Sequence, residues 1–207
     1  MIKDYNNMPL SKYYEIRDII SSDMEDIDIQ ANLIAIINDM DVNEVLDLPL
    51  NKYENLVESL AFLMETPKPE KLRTKQFVIN GNKYRLIDST TKMTAGQYID
   101  YQSYIKNEMG FEYIISCFLI PVGKKYGEYD VTDVIKDILD LDIQSCYNVC
   151  FFFQKKYLKS IRDSLIYSDL QILMAMRKAP KEKRKELKKA RKMIHQKISE
   201  INGIGNI

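Results

Sequence analysis

Residues 143–165 read IQSCYNVCFFFQKKYLKSIRDSL and form the longest stretch of the chain with a single periodicity. Charged residues such as Lys155, Lys159 and Asp163 fall between its apolar positions. Spacings of three and four residues place apolar side chains on one face of an α-helix. The stretch therefore predicts a long helix with one buried face. The apolar positions are Cys146, Val149, Cys150, Phe153, Tyr157, Ile161 and Leu165.

Helical spacing also marks most of the remaining chain. Segments 12–20 and 29–38 and a segment from Asn51 onward carry it, with Ser11 and Asn51 as predicted N-caps, each directly after Pro-Leu. Further on, Thr94-Ala95-Gly96-Gln97 has the pattern of a capping box, in which a Thr and a Gln three residues later cap a helix reciprocally. Apolar residues 111–119 predict a helix that ends at Pro121, and residues 131–139 predict a short one.

The clearest exception to the helical pattern is Asn80-Gly81, which lies between Phe77-Val78-Ile79 and Tyr84-Arg85-Leu86-Ile87. Asn-Gly between two β-forming runs predicts a hairpin with a tight turn, because both residues tolerate positive φ. We expect strands at roughly 75–80 and 83–88. The predicted fold is mainly α: a helical bundle with one small β-hairpin (about 75–88) and a protruding basic C-terminal helix.

Charge divides the chain unevenly although its net charge is zero. Residues 1–66 hold 14 acidic and 4 basic residues, whereas residues 177–197 hold 11 basic and 2 acidic ones. We predict an acidic helical region at 1–66, a Pro-containing linker at 67–74, a hairpin plus helical core at 75–176 and a basic helical tail at 177–207.

Composition excludes several classes of protein. With 207 residues, 45% apolar and 29% charged, the chain is typical of a globular protein. Its longest apolar run, 114–122, is too short to span a bilayer, and no signal peptide is evident. The three cysteines are odd in number and lie in apolar segments, which favours buried thiols in a reducing cytoplasm.

The sequence contains few candidate catalytic, metal-binding or phosphate-binding residues. The single histidine, His195, lies in the basic tail, and no phosphate-binding glycine motif is present. For Asp133, Asp137, Asp140 and Asp142 a solvated helix face is favoured over metal or acid–base use. For Gly123-Lys124-Lys125-Tyr126-Gly127 a surface turn is favoured over a phosphate site. We predict that the protein is not an enzyme and that it has no catalytic, cofactor-binding or metal-binding residues.

Two features favour binding. The 14 tyrosines indicate packing and protein interfaces more than stacking on single-stranded nucleic acid. The basic tail has three interpretations that stay open: nucleic-acid binding, contact with an acidic protein surface (including the N-terminal region of a second copy), or a solvated helix.

Three motifs carry a resemblance. Met93-Thr94-Ala95-Gly96-Gln97-Tyr98-Ile99-Asp100 resembles a helix start in tail-assembly chaperone-like proteins of tailed bacteriophages. Glu44-Val45-Leu46-Asp47-Leu48-Pro49-Leu50 resembles the helix junction upstream of it in those proteins. Cys117-Phe118-Leu119-Ile120-Pro121, followed by Gly123-Lys124-Lys125-Tyr126, is similar to uncharacterised phage and prophage proteins of Bacteroides-like gut bacteria. The resemblance covers roughly residues 40–160, and the basic tail lies outside it.

The resemblance implies a cofactor-free phage tail assembly chaperone or minor virion structural protein, located in the bacterial host cytoplasm or in the virion. Its partners would be tape-measure, tail-tube or other virion proteins, with no membrane contact, and a homo-oligomer stays open. The alternative is a nucleic-acid-binding protein that uses the C-terminal helix. The expected contact residues are Tyr98, Tyr101, Tyr104, Arg177, Lys178, Lys181, Lys183, Arg184, Lys185, Lys188, Lys189, Arg191 and Lys192.

Overall fold

The computed structural model describes residues 2–72, 74–87, 89 and 92–204, apart from the side chains of residues 178, 181 and 202–204. Over these residues the fold is mainly helical with one small sheet, as the sequence predicts. The first half contains α1 (Leu10–Ile20), α2 (Asp26–Asn38), α3 (Val42–Leu46), α4 (Leu50–Ser59), a 3-10 helix (Leu60–Met64), β1 (Gln76–Ile79) and β2 (Asn82–Leu86). The second contains α5 (Ala95–Lys106), α6 (Phe111–Ser116), β3 (Leu119–Pro121), α7 (Val131–Leu139), α8 (Ile143–Lys178) and α9 (Lys181–Ile204).

The predicted hairpin is present and is joined by a third strand. β1 and β2 pair antiparallel, with Phe77 opposite Tyr84, through a turn in which Asn80 and Gly81 have φ of 51° and 79°. Positive φ at both central residues is the geometry that Asn-Gly favours. β3 pairs antiparallel with the other edge of β2. Asp88, the last residue of the predicted second strand, lies outside the described residues.

The helix predicted at residues 111–119 is shorter than expected. The expected helix ends at Ser116, and Leu119–Pro121 forms β3 instead. The exposed edge of β2 offers backbone hydrogen bonds that an isolated apolar run does not reveal, and Ile120 pairs there with Arg85. A short run of consecutive apolar residues is compatible with a buried helix and with a buried strand, because it shows neither periodicity.

Both helices that follow Pro-Leu begin two residues earlier than predicted. Pro9 and Pro49 occupy the N-cap positions of α1 and α4, and no side chain caps either helix. In both helices the proline carbonyl instead accepts the backbone N–H of the residue four positions later, Tyr13 or Tyr53, at 3.1 Å. Ser11 and Asn51 are therefore helical residues, and their predicted capping role is wrong.

The contacts divide the chain into two units, which we describe separately. The first comprises Met1–Asp88 and Lys92–Cys150, and the second Ser89–Thr91 and Phe151–Ile207. In the first unit the chain start is held by backbone bonds from Leu10 N to Leu141 O and from Ile143 N to Met8 O, both 2.9 Å. The acidic N-terminal region therefore packs into the same core as α7 and the start of α8.

Residues of the predicted linker are also held in the first unit. Gln144 donates to the carbonyl of Lys68 at 2.8 Å, and the side-chain oxygen of Asn148 accepts the backbone N–H of Glu70 at 2.8 Å. Both amide side chains belong to the first turns of α8. The extended segment thus runs along this helix and is hydrogen-bonded to it.

A third bond set joins α1 to the start of α6. The Tyr14 hydroxyl donates to the carboxylate of Glu112 and accepts the backbone N–H of Phe111 at 2.8 Å. An added Cβ at Gly110 would lie 2.7 Å from this hydroxyl. Glycine at position 110 therefore leaves the space in which the tyrosine reaches the helix start.

Candidate partner-binding surfaces

The start of α5 is fixed by the capping box that the sequence predicts. The Thr94 hydroxyl accepts the Gln97 backbone N–H at 3.2 Å, and the Gln97 side-chain oxygen accepts the Thr94 N–H at 2.8 Å. Gln97 is buried, and its amide nitrogen donates to the carbonyl of Cys117 at 2.9 Å. One side chain therefore caps the helix and ties it to the segment before β3.

Three sequence motifs meet at this place. The Tyr126 hydroxyl donates to Asp100 at 2.6 Å, and Gly96 lies beside the Tyr126 ring. Residues 93–100, 117–121 and 123–127 thus form one hydrogen-bonded cluster around the base of α5. Spacing in the sequence does not reveal this, because Gln97 and Cys117 are 20 residues apart.

The three predicted contact tyrosines of α5 differ in burial. Tyr98 is 47% exposed. Tyr101 is buried, and its ring packs edge-on against Phe118 with centroids 5.2 Å apart. Tyr104 is half-buried, with its ring 5.5 Å from that of Tyr113. The helical face that carries Gln97 also carries Tyr101 into the core, so Tyr101 is the one of the three that is not exposed to a partner.

Two residues missed from the sequence extend the exposed part of α5. Ile99 and Ile105 are 64% and 45% exposed. At 100° per residue Ile105 lies on the same side of α5 as Tyr98, whereas Ile99 lies opposite the face that Gln97 and Tyr101 bury. We call Tyr98, Ile99 and Ile105 the α5 face. Their exposure was not visible in the sequence, because apolar residues surround the helix and only packing decides which ones are covered.

The two arginines of α9 serve the second unit internally. Arg184 Nε donates to the carbonyl of Ala179 at 2.8 Å, and Arg191 Nε donates to Asp169 of α8 at 2.9 Å. His195 Nε2 lies 3.1 Å from the same Asp169 oxygen. The hydrogen bond from Arg191 is the main reason that the pKa of Asp169 is lowered. The contacts of Arg191 and His195 hold α9 along α8. Arg191 is half-buried, whereas Arg184 is exposed.

The lysines of α9 are placed differently. Lys185, Lys188, Lys189 and Lys192 are exposed, and we call them the lysine face. At 100° per residue they are centred roughly 150° around α9 from the half-buried Leu187, Ile194 and Ile198. Within the part of the chain that the structure describes, no carboxylate pairs with them. Arg177 is exposed at the end of α8, Lys183 is exposed on α9, and the side chains of Lys178 and Lys181 lie outside the described residues.

The acidic set on α7 is only partly a solvated face. Asp133 and Asp140 are exposed, but Asp137 is buried and accepts hydrogen bonds from Asn80 (3.1 Å), Asn82 (2.8 Å) and the Tyr84 hydroxyl. Burial alone would raise the pKa of Asp137, but these hydrogen bonds outweigh it and lower the pKa. The carboxylate fastens the hairpin turn to α7. Of the described residues, no group of His, Cys, Asp and Glu is arranged to hold a metal ion.

The glycine loop and the thiols have structural surroundings. In the loop, the Lys124 N–H donates to the Pro121 carbonyl and the Lys125 N–H to the Glu128 carboxylate, at 3.1 and 2.9 Å. Amides that a phosphate would need are thereby occupied, which favours the surface turn. The three thiols are free, and burial raises the pKa of Cys117 and of Cys150 to about 12.

Comparison with known proteins adds no assignment: no family model, no curated protein and no solved structure matches the chain. Across the described ranges, none of the helices combines the length and apolar character needed to cross a bilayer. The surfaces themselves therefore carry the functional argument.

Proposed function

We propose that the protein is a non-enzymatic phage tail assembly chaperone or minor virion structural protein that acts by protein–protein contact. The observation that carries this proposal is the α5 face, an exposed apolar surface on a helix whose base is fixed by Gln97 and Asp100. An exposed apolar patch on a rigid support is typical of a binding surface. The same segment carries the resemblance to tail assembly chaperones.

The partner that fits is a long helical protein with an apolar seam, such as a tape-measure protein or a tail-tube subunit. An apolar helix face in a groove is held by side-chain burial, so the complex should persist at high salt. The protein would act where such partners are made, in the host cytoplasm, or remain in the virion.

The test is co-expression with tape-measure and tail-tube proteins from the same genome, measuring how much partner stays soluble. We expect the triple variant Tyr98→Ser, Ile99→Ser and Ile105→Ser to lose this effect. The matched control is Leu46→Ser, Leu50→Ser and Met64→Ser, which removes three more exposed apolar side chains elsewhere and should retain the solubilising effect. Full retention by the α5 variant, or no soluble partner with the unaltered chain, contradicts the proposal.

One observation favours a second candidate, nucleic-acid binding, because the lysine face presents four exposed positive charges on one side of α9. Four phosphate contacts predict a slope of about −3.6 for log affinity against log salt on duplex DNA. Replacing the four lysines with Gln should flatten this slope, whereas replacing Lys124 and Lys125 should not. Affinity that is independent of salt excludes this candidate.

A further inference from the structure

Helix α8 carries a line of exposed side chains in the second unit. Ile166, Leu170 and Met174 are 44%, 49% and 59% exposed and follow one another at four-residue intervals. Asp163 lies three residues before this line and Arg177 three residues after it, and both are exposed. At 100° per residue the five positions fall within about 80° of arc. We call these five residues the outer stripe.

The outer stripe is distinct from the side of α8 that contacts α9. Asp169 marks that side, because it accepts from Arg191 and lies beside His195. Leu165, Ile172 and Met176 share the side of Asp169 and are half-buried. Its centre lies roughly 130° around the helix from Leu170. Pairing with α9 therefore leaves the outer stripe uncovered.

The order of residues in the outer stripe is symmetric about Leu170. Apolar Ile166 and Met174 lie four residues to either side, and the oppositely charged Asp163 and Arg177 lie seven residues to either side. When two such helices run antiparallel about a two-fold axis at Leu170, Ile166 meets the partner's Met174. Asp163 then lies opposite the partner's Arg177 at both ends. A parallel arrangement would instead oppose like charges.

We propose that two copies of this chain form a two-fold symmetric dimer through the outer stripe of α8. An interface of this kind uses the same patch on both subunits and must be self-complementary, which the symmetric order of charge provides. The two α8–α9 hairpins then supply the four helices of an antiparallel bundle. Neither the α5 face nor the lysine face is part of this interface, so the dimer stands or falls separately from the proposed function.

Two further observations fit this occupant. The lysine face lies on the side of α9 away from α8, so the basic helices of the two copies do not confront one another across the axis. Asp163 lies 3.9 Å from Arg162 Nε within its own chain, too far for a hydrogen bond, so its carboxylate can accept from the partner's Arg177.

The first test is sedimentation equilibrium of the full chain over a range of concentrations. We expect a monomer–dimer equilibrium that Leu170→Glu weakens at least about 100-fold, because it places two carboxylates together at the axis. The matched control, Gln171→Glu, adds the same charge at an exposed position outside the outer stripe and should leave the equilibrium unchanged. Circular dichroism and thermal unfolding establish that both variants fold.

The second test fixes the register. Asp163→Arg and Arg177→Asp should each weaken the dimer about tenfold or more, and the double exchange in one chain should restore it. An equimolar mixture of the two single variants should also dimerise, because each supplies the charge that the other lacks.

Oxidative cross-linking gives an independent measure of the same register. Leu170→Cys should form a disulfide-linked dimer. Met174→Cys should not, because the two sites are then about 12 Å apart along the helix axes.

Three results overturn the proposal. One is an unaltered chain that stays monomeric at hundreds of micromolar. Another is a dimer that Leu170→Glu leaves intact, which would place the interface elsewhere. The third is failure of the double charge exchange to restore a dimer that the single exchanges abolish, which would exclude the antiparallel register.

Discussion

Asp137 in the first unit and Asp169 in the second each fasten one element to another, but with different partners. Asp137 accepts from two amides and a hydroxyl, all uncharged, and holds the hairpin turn to α7. Asp169 accepts from Arg191 and lies beside His195, and it holds α9 to α8. Asp137 is buried, whereas Asp169 is half-buried.

This difference indicates how each unit is stabilised. Neutral donors around a buried carboxylate satisfy its lone pairs without a counter-charge, and removing the carboxylate leaves the buried Tyr84 hydroxyl unpaired. A charged pair near the surface loses much of its energy to solvent and salt. We therefore expect the first unit to depend on its polar contacts for global stability, and the second to use them mainly for local attachment.

The largest effect is expected for Asp137→Ala. The substitution leaves the buried Tyr84 hydroxyl and the Asn82 amide without their acceptor, while Asn80 keeps its bond to Asp140. It should lower the free energy of unfolding by about 3 kcal/mol. Urea denaturation followed by circular dichroism measures this. Asp133→Ala on the exposed side of the same helix is the control and should change stability by less than about 0.5 kcal/mol. Equal effects of the two substitutions would remove the distinction between the buried and the exposed carboxylate.

A smaller effect in the first unit is expected for Gln97→Ala. It removes one half of the capping box and the bond to the Cys117 carbonyl, which should cost about 2 kcal/mol. Thr94→Ala removes only the capping contact and should cost about 1 kcal/mol. Thermal unfolding compares the two. If Thr94→Ala costs as much as Gln97→Ala, the bond across to residue 117 contributes nothing.

Two features of the first unit were predictable from short sequence motifs. The Asn80-Gly81 turn and the Thr94–Gln97 box depend on residues within four positions of one another, and both are present. The same kind of motif is present at Asp41 and Glu44, which form the capping box of α3. The sequence-based predictions did not include this helix. An N-cap residue with Glu three positions later is a sequence signature from which this helix start is predictable.

Longer-range features were not predictable in the same way. The role of Asp137 depends on Asn82, which is 55 residues away in the chain. β3 exists because the edge of β2 accepts it, and Tyr101 is buried because Phe118 lies against it. Periodicity shows which face of a helix is the more apolar. Which face is buried also depends on the other helices and strands that pack against it, and periodicity within one helix does not identify these.

In the second unit, Asp169→Asn should release α9 without unfolding the first unit. The neutral amide no longer attracts Arg191, so amide hydrogen exchange in residues 185–200 should accelerate while exchange in α7 stays unchanged. Glu186→Gln removes an exposed carboxylate of α9 and serves as the control. Faster exchange in α7 as well would show that the two units unfold together.

Acid should affect the two carboxylates alike, whereas salt should distinguish them. The pKa of each is lowered on folding, so each stabilises the fold fully at pH values above the unfolded pKa of about 3.9. Each contribution is lost as the pH falls through the lowered, folded value, because protonation then occurs in the folded state as well. Acid should therefore weaken both attachments.

Salt acts on the charges of the partners, which differ between the two sites. At pH 7, raising sodium chloride to about 1 M shortens the Debye length to about 3 Å and screens the attraction between Asp169 and Arg191. The amides and hydroxyl around Asp137 carry no net charge, so their bonds should be unaffected. Hydrogen exchange should therefore accelerate in α9 and not in the hairpin. Equal salt sensitivity of both regions would contradict the assignment of an ionic attachment to the second unit alone.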